Sequence, residues 1–219
     1  MNSLLINLRP SVYDAMSISQ EELGYLTDCN SLEDFLSPNE NLAYKKLTSL
    51  VRQRTWFMGR LVLKKLVNKV VYGSKKKLNE IEIFNKACGQ PYVKEALYVS
   101  ITHKSDLAMA AVSASNEIGI DYENMKPVSG LMQRYYMTEE EIRSSLRVHG
   151  DKGLIISWTI KEAAFKAIDD GLKRSLSDLQ IKFVDTESSH VFSTNGDRIA
   201  TVFSSCDEDS VFSCAILGL

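Results

Sequence analysis

Hydrophobic and polar positions along the chain follow two rhythms, a period of two where strands are expected and a period near 3.6 where helices are. Residues 4–8 read as a short strand. Ser37-Pro38-Asn39-Glu40 is a helix start, with serine as N-cap, proline at the first helical position and glutamate reaching back from the third. The helical pattern then runs, with room for a break, through Leu61, Leu63, Leu66 and Val70 to Gly73. Ile81 and Ile83 suggest a second strand, followed by a turn at Gly89-Gln90-Pro91. Leu97, Val99 and Ile101 alternate with Tyr98, Ser100 and Thr102 as a further strand, and the apolar run 108–112 is expected to return as its partner. Small polar residues at 113–117 mark a boundary. Beyond it the pattern predicts a strand over 118–123, a polar and mostly helical stretch over 127–150, a helix over about 154–170, and strands near 179–184, 190–194, 198–204 and 210–217. Two halves, 1–112 and 113–219, each combine helix with antiparallel strand, the α+β class. The sequence shows no internal repeat.

Composition excludes more than it selects. With 219 residues, 44% hydrophobic and 25% charged, the chain matches an ordinary soluble globular protein. A net charge of −2 offers no polycationic surface for long nucleic acids, and Lys75-Lys76-Lys77 reads as a solvated loop after Gly73. No apolar run approaches the roughly 20 residues that span a bilayer, and the N-terminus lacks the basic region of a secretory signal. A cytoplasmic protein with no membrane partner is the expectation. Cys29, Cys88, Cys206 and Cys214 are scattered without a C-x-x-C pair, so reduced thiols are expected rather than a zinc or redox site.

Three stretches carry candidate chemistry. In "IGIDYE", 118–123, strand alternation sends Gly119, Asp121 and Glu123 to one face. Two like charges that close repel unless something positive lies between them, the bland alternative being an exposed face screened by water. In "SWTIKEAAFKAI", 157–168, Ile156, Ile160, Ala163, Ala164, Ala167 and Ile168 form an apolar arc continued by Phe165 and Trp158. Thr159, Glu162, Lys166, Asp169 and Asp170 occupy the opposite wedge, where Glu162 and Lys166 are neighbours four apart. A surface Glu–Lys pair accounts for them equally well. Lys161 falls inside the apolar arc and needs either an anion or an escape route to water, and spacing ranks the two evenly. In "VSITHKSD", His103 ends a strand beside Thr102 and Lys104, a set of donors suited to a phosphate. A hydrolase triad on Ser100 would lack the turn it needs.

In order along the chain, these motifs resemble those of the 4′-phosphopantetheinyl transferase superfamily, of the longer surfactin-synthetase-activating (Sfp-like) type. Gly119-Ile120-Asp121-Tyr122-Glu123 is similar to its G-x-D-x-E block, and the run from Trp158 through Lys161-Glu162 to Lys166 to its W-x-x-K-E-x-x-x-K block. Ser100-Ile101-Thr102-His103 resembles its N-x-S-H strand end, Gly89-Gln90-Pro91 its G-K-P turn, and the Gly59-Arg60 pair after Trp56 its G-R helix. Ser100, Thr102 and Gln90 depart from the usual Asn, Ser and Lys. The resemblance covers about residues 36–176. It implies a pseudodimer of two similar α/β-sandwich halves with coenzyme A between them. It also implies Mg²⁺ held by Asp121, Glu123 and Glu162, and phosphopantetheine transfer from coenzyme A to a serine of an apo acyl or peptidyl carrier protein. Glu162 is implied as the base with Glu123 second, and Lys166 as the stabiliser of pyrophosphate charge. Arg60, Thr102 and His103, with Gln90 or Lys86, are implied for the 3′-phosphate side, and Asp121 and Lys166 for the pyrophosphate. The carrier is expected to dock beside 124–147, near Lys126, Arg134, Arg143 and Arg147, with Glu139-Glu140-Glu141 diluting that patch, and the protein to act as a monomer. A Mg²⁺-dependent nuclease and a non-catalytic carrier-binding module are the alternatives.

Overall fold

The computed structural model describes residues 13–29, 31–104, 106–127, 133–168 and 175–219. The strand expected at 4–8 and residues 169–170 of the long C-terminal helix lie outside them. The chain divides into two compact units that meet between Ser115 and Asn116.

The first unit runs β1 (Tyr13–Ser19), α1 (Gln20–Cys29), α2 (Pro38–Lys45), α3 (Leu50–Tyr72), β2 (Phe84–Asn85), β3 (Pro91–Tyr92), β4 (Tyr98–His103) and β5 (Leu107–Ser113). β1, β5 and β4 form an antiparallel sheet in that order, and β2 and β3 a small hairpin. β1 and α1 have no counterpart in the sequence reading. The helix start at Ser37 behaves as the residues predict: its hydroxyl accepts the Glu40 N–H, and the Glu40 carboxylate accepts the Ser37 N–H at 2.9 Å. The break after it is real. α2 ends at Lys45, and Ser49 caps a new helix by accepting the Arg52 N–H. α3 buries Phe57, Met58, Leu61, Val62 and Leu66 and ends at Gly73, whose φ of 58° is the left-handed conformation that glycine adopts freely. Ile81 and Ile83 are buried but form no strand. The Ile83 N–H is taken by Glu40 Oε1 at 3.3 Å, and pairing starts one residue later, at Phe84.

The second unit contains β6 (Ile118–Asn124), α4 (Glu139–His149), α5 (Gly153–Ala167), β7 (Leu179–Phe183), β8 (Ser188–Ser193), β9 (Arg198–Cys206) and β10 (Ser210–Leu217). Its five strands form one antiparallel sheet, β6-β10-β9-β8-β7. α5 covers that sheet, with Ile156, Ile160, Ala163, Ala164 and Ala167 in a core shared with Val202, Val211 and Ala215. The five strands agree with the sequence pattern to within about two residues at their ends and α5 to within one at its start, whereas α4 occupies 139–149 of the stretch 127–150 expected to be mostly helical. The class is α+β, helices packed on antiparallel sheets.

One feature contradicts the sequence reading. Phe35-Leu36-Ser37-Pro38-Asn39-Glu40 recurs as Tyr136-Met137-Thr138-Glu139-Glu140-Glu141, in both cases a capping box entered through an aromatic and an aliphatic residue. In the first unit Lys64 of α3 donates to the Glu40 carboxylate and to Phe35 O at 2.8 Å. In the second, Lys161 of α5 donates to the Glu141 carboxylate, 2.9 Å away, and to Tyr136 O. The other function of each glutamate is also the same: Glu40 accepts the Ile83 N–H, and Glu141 the Ile181 N–H at 2.9 Å. Both lysines are fully buried. The chain therefore carries an internal repeat after all. Only Glu is identical across the six positions, and the lysine follows it by 24 residues in one unit and 20 in the other, so alignment by eye misses it. The repeat also settles Lys161, which takes an anion and a carbonyl rather than a path to water. Burial lowers its pKa, and Glu141 opposes that shift. Glu141, counted from sequence with the surface acids, is buried as its partner.

Candidate active site

β6 pairs with β10 so that Gly119, Asp121 and Glu123 lie opposite Ala215, Ser213 and Val211. Directly opposed residues share a face, and this face meets α5. Gly119 sets how closely. A Cβ there would lie 2.0 Å from Ala163 O and 2.5 Å from Ala167 N, so the helix backbone rests on the strand where only glycine leaves room. Two residues on, Asp121 meets Lys166, whose Nζ is 2.7 Å from Asp121 Oδ1 and 3.2 Å from Ile120 O. At the far end, Trp158 Nε1 donates to Glu123 Oε1 at 3.2 Å, and Lys126 Nζ lies 3.6 Å from Glu123 Oε2.

Trp158, Glu162 and Lys166 are spaced by four and form one stripe of α5. Both ends of that stripe are tied to β6, so Glu162, midway along it, belongs to the same face as Asp121 and Glu123. The two strand carboxylates are 5% and 6% exposed, which removes the reading of a water-screened surface. Each carboxylate has a cation of its own beside it, the Lys166 ammonium on Asp121 and that of Lys126 near Glu123. Thr159, expected on the polar wedge, is buried; it accepts from Ser213 Oγ at 3.0 Å, and Ser213 Oγ also lies 2.9 Å from Ser204 Oγ. This hydroxyl chain ties α5 to β10 beside Asp121.

Among the described residues, no three His, Cys, Asp or Glu side chains converge closely enough to hold a metal ion. By donor type alone, the carboxylates of this face are the hard oxygens that Mg²⁺ prefers. Asp121, Glu123 and Glu162 offer hard carboxylate oxygens from one face, and Mg²⁺ commonly takes one or two carboxylates with substrate phosphates and water completing its shell.

A second group of predicted residues gathers in the first unit. Arg60 stacks its guanidinium 3.9 Å from the Trp56 ring centroid, donates to Asn85 Oδ1 at 2.5 Å and lies 3.8 Å from Glu40. Burial lowers its pKa, partly offset by Glu40. Asn85 Nδ2 in turn donates to Gly89 O at 2.7 Å, and Lys86 N–H to Gln90 O at 2.9 Å, so the turn holding Lys86 and Gln90 is fastened to Arg60. Gly59 faces the end of β4: a Cβ on it would meet Ile101 Cγ2 at 3.0 Å and His103 Cδ2 at 3.6 Å. Thr102 is buried and His103 exposed.

Residues 117–216 match the family model of the 4′-phosphopantetheinyl transferase superfamily. The curated 4′-phosphopantetheinyl transferase HetI of Nostoc sp. (strain PCC 7120) is 32% identical over 104 residues, 45% of this chain and 44% of that protein. The chain thus matches less than half of that relative's length. The superfamily match spans Gly119, Asp121, Glu123, Glu162 and Lys166 and leaves Arg60, Lys86, Gln90, Thr102 and His103 outside it.

Three residues have structural work at these sites that sequence reasoning did not assign. Trp158 entered as an apolar residue and as the opening of the family-like block, and its indole N–H donates to Glu123. Ser213 is one more small residue on a strand until register puts it opposite Asp121. Asn85 joins Arg60 to the 86–90 turn, and its one sequence cue is that it immediately precedes that turn.

Proposed function

We propose that the protein transfers the 4′-phosphopantetheine group of coenzyme A to a serine of an apo acyl or peptidyl carrier protein, releasing 3′,5′-ADP. The observation that carries this reading is the α5 stripe Trp158–Glu162–Lys166 tied at both ends to Asp121 and Glu123, inside the stretch that matches the transferase superfamily.

Asp121, Glu123 and Glu162 are the residues that would hold Mg²⁺, which when bound supplies positive charge to the pyrophosphate oxygens. Glu162 takes the proton of the attacking serine hydroxyl, a poor nucleophile at neutral pH without a base, and Glu123 is the second choice for that role. The serine oxygen bonds to the β-phosphorus, the bond to the bridging oxygen breaks, and 3′,5′-ADP leaves with that electron pair. Lys166, whose ammonium already lies against Asp121 beside this face, donates to the pyrophosphate oxygens as their charge grows.

Arg60, Lys86, Gln90, Thr102 and His103 are proposed for the 3′-phosphate and adenosine end. Their clustering around Asn85 and the end of β4 supports the longer, Sfp-like reading of the chain. The repeated capping box and lysine support reading the units as two similar halves of a pseudodimer. Arg143 and Arg147 lie one turn apart and exposed on α4, and with Lys126 and Arg134 they favour an acidic carrier, the protein acting as a cytoplasmic monomer.

The test is intact-mass measurement of several apo carrier proteins after incubation with coenzyme A and Mg²⁺. A carrier gaining the mass of one phosphopantetheine names both activity and acceptor. No gain on any acyl, peptidyl or polyketide carrier overturns the reading.

A further inference from the structure

The Lys161–Glu141 pair has no part in the chemistry proposed above, yet both of its side chains are buried. Lys161 is fully buried and donates to both Glu141 and Tyr136 O. Glu141 is committed on every side: it closes the capping box of α4 by accepting the Thr138 N–H at 2.8 Å, and it accepts the Ile181 N–H of β7 at 2.9 Å. One carboxylate thus joins the start of α4, the middle of α5 and strand β7.

The direction of that joint matters. Successive residues of a helix are about 100° apart around its axis. Lys161 is one such step from Glu162 on one side, and Ala163, whose carbonyl rests on Gly119, is one step on the other. The stripe Trp158–Glu162–Lys166 therefore runs between two fixed lines, the lysine clamp and the glycine contact, and α5 cannot roll without breaking one of them. We infer that Lys161 and Glu141 are positioning residues that set the rotation of α5, and through it the aim of Glu162 and Lys166 at the carboxylates of β6.

The activity arm of the test rests on the transferase reading, and the spectroscopic arm does not. In a Trp56→Phe background Trp158 is the remaining tryptophan, and its indole donates to Glu123, so its emission reports how α5 faces β6. The variant is Lys161→Met with Glu141→Gln, which removes both charges; the single acceptor oxygen of glutamine can keep the cap to the Thr138 N–H and then gives up the Ile181 N–H. The expected result is a changed Trp158 emission maximum, with kcat for transfer down about tenfold or more and KM for coenzyme A altered far less, because displacement of a catalytic group lowers turnover first. The matching double change in the first unit, Lys64→Met with Glu40→Gln, should leave Trp158 emission where it was. An unchanged emission maximum with kcat within about twofold of the parent overturns the inference and leaves the pair a stability element only. Should the double variant not fold, Glu141→Asp, which keeps both charges but shortens the reach of the carboxylate, is read by the same two criteria. A parent without transfer activity sinks the functional reading, and the emission arm then decides the clamp by itself.

Discussion

In both units a buried lysine ties a long helix to the capping-box glutamate before it, but the glycine that lets helix and strand close up stands on opposite partners. In the second unit it is Gly119 on the strand, and what it meets is helix backbone, 2.0 Å from where a Cβ would be. In the first it is Gly59 on the helix, and what it meets is the Ile101 side chain at 3.0 Å. Backbone cannot give way, whereas the end of a side chain can. The second unit thus holds its helix at a fixed distance from two buried carboxylates, a requirement of charge chemistry that tolerates little error. The first surrounds Arg60 with a ring face and an amide, a setting suited to holding a ligand group rather than reacting with it.

The sharpest way to break this comparison is to add one methyl to each glycine. Gly119→Ala must push α5 off β6 and should cost about 3 kcal/mol or more in stability, with loss of transfer activity. Gly59→Ala gains helix propensity of up to about 1 kcal/mol and asks Ile101 to move by a few tenths of an ångström, so it should stay within about 1 kcal/mol of the parent. Denaturant unfolding of both variants measures the gap. Equal effects would mean that the two contacts are equivalent, and the comparison fails.

Next in size are the carboxylates. Asp121→Ala and Glu162→Gln should each lower turnover by about 10²-fold, the usual cost of one electrostatic partner of a transition state, while folding survives because glutamine is isosteric with Glu162 and the Lys166 ammonium left by Asp121→Ala is partly exposed to water. Steady-state transfer assays and thermal melts separate the two claims. A fully active Asp121→Ala protein would end the metal assignment. Lys166→Ala sharpens the same point. It should depress kcat more than it weakens coenzyme A binding, since its charge is proposed to act on the breaking bond. Were Lys166 only the salt-bridge partner of Asp121 seen here, both quantities would stay near the parent's values.

Most of the second unit was legible in the sequence because its signals are local. Alternation placed Gly119, Asp121 and Glu123 on one face, and four-residue spacing put Glu162 and Lys166 on one side of their helix; that α5 rests on Gly119 is visible only in the structure. What stayed hidden depends on partners far along the chain. Thr159 reads as outward from its own helix, but Ser213, 54 residues away, gives its hydroxyl a buried partner. Ile81 and Ile83 read as a strand because they are apolar and alternate, but Glu40 of a distant capping box takes the Ile83 N–H that a ladder would have used. Lys161 could not be resolved by spacing, since its anion lies 20 residues earlier on another helix. The repeat was missed for a related reason: the units conserve the geometry of a cap and a clamp, and side-chain class rather than identity carries it.

The smallest expected effect concerns the turn of the first unit, Gly89-Gln90-Pro91, where the G-K-P turn that it resembles has a lysine. A lysine would give the 3′-phosphate a charged hydrogen bond, typically worth about 1.5–3 kcal/mol, against a weaker neutral one from the amide. Taken alone, that predicts a gain of about tenfold in coenzyme A affinity for Gln90→Lys, the factor that corresponds to 1.4 kcal/mol. The geometry of the turn reduces that expectation. Phe84 pairs with Tyr92 and Asn85 with Pro91, and the Lys86 N–H continues the ladder to Gln90 O at 2.9 Å. Lys86 and Gln90 are therefore directly opposed, and opposed side chains leave a hairpin on the same face. The lysine missing at 90 has a neighbour at 86 that can stand in for it. Lys86→Ala should then weaken coenzyme A by about tenfold and leave 3′-dephospho-coenzyme A nearly unaffected, while Gln90→Lys gains less than the full factor because the phosphate already has a cation. Calorimetric titration of both variants with both ligands distinguishes the cases. If Gln90→Lys gains the whole tenfold and Lys86→Ala changes nothing, the lysine does not compensate. If neither variant moves the preference for the 3′-phosphate, the turn that Asn85 fastens to Arg60 is not where that phosphate binds.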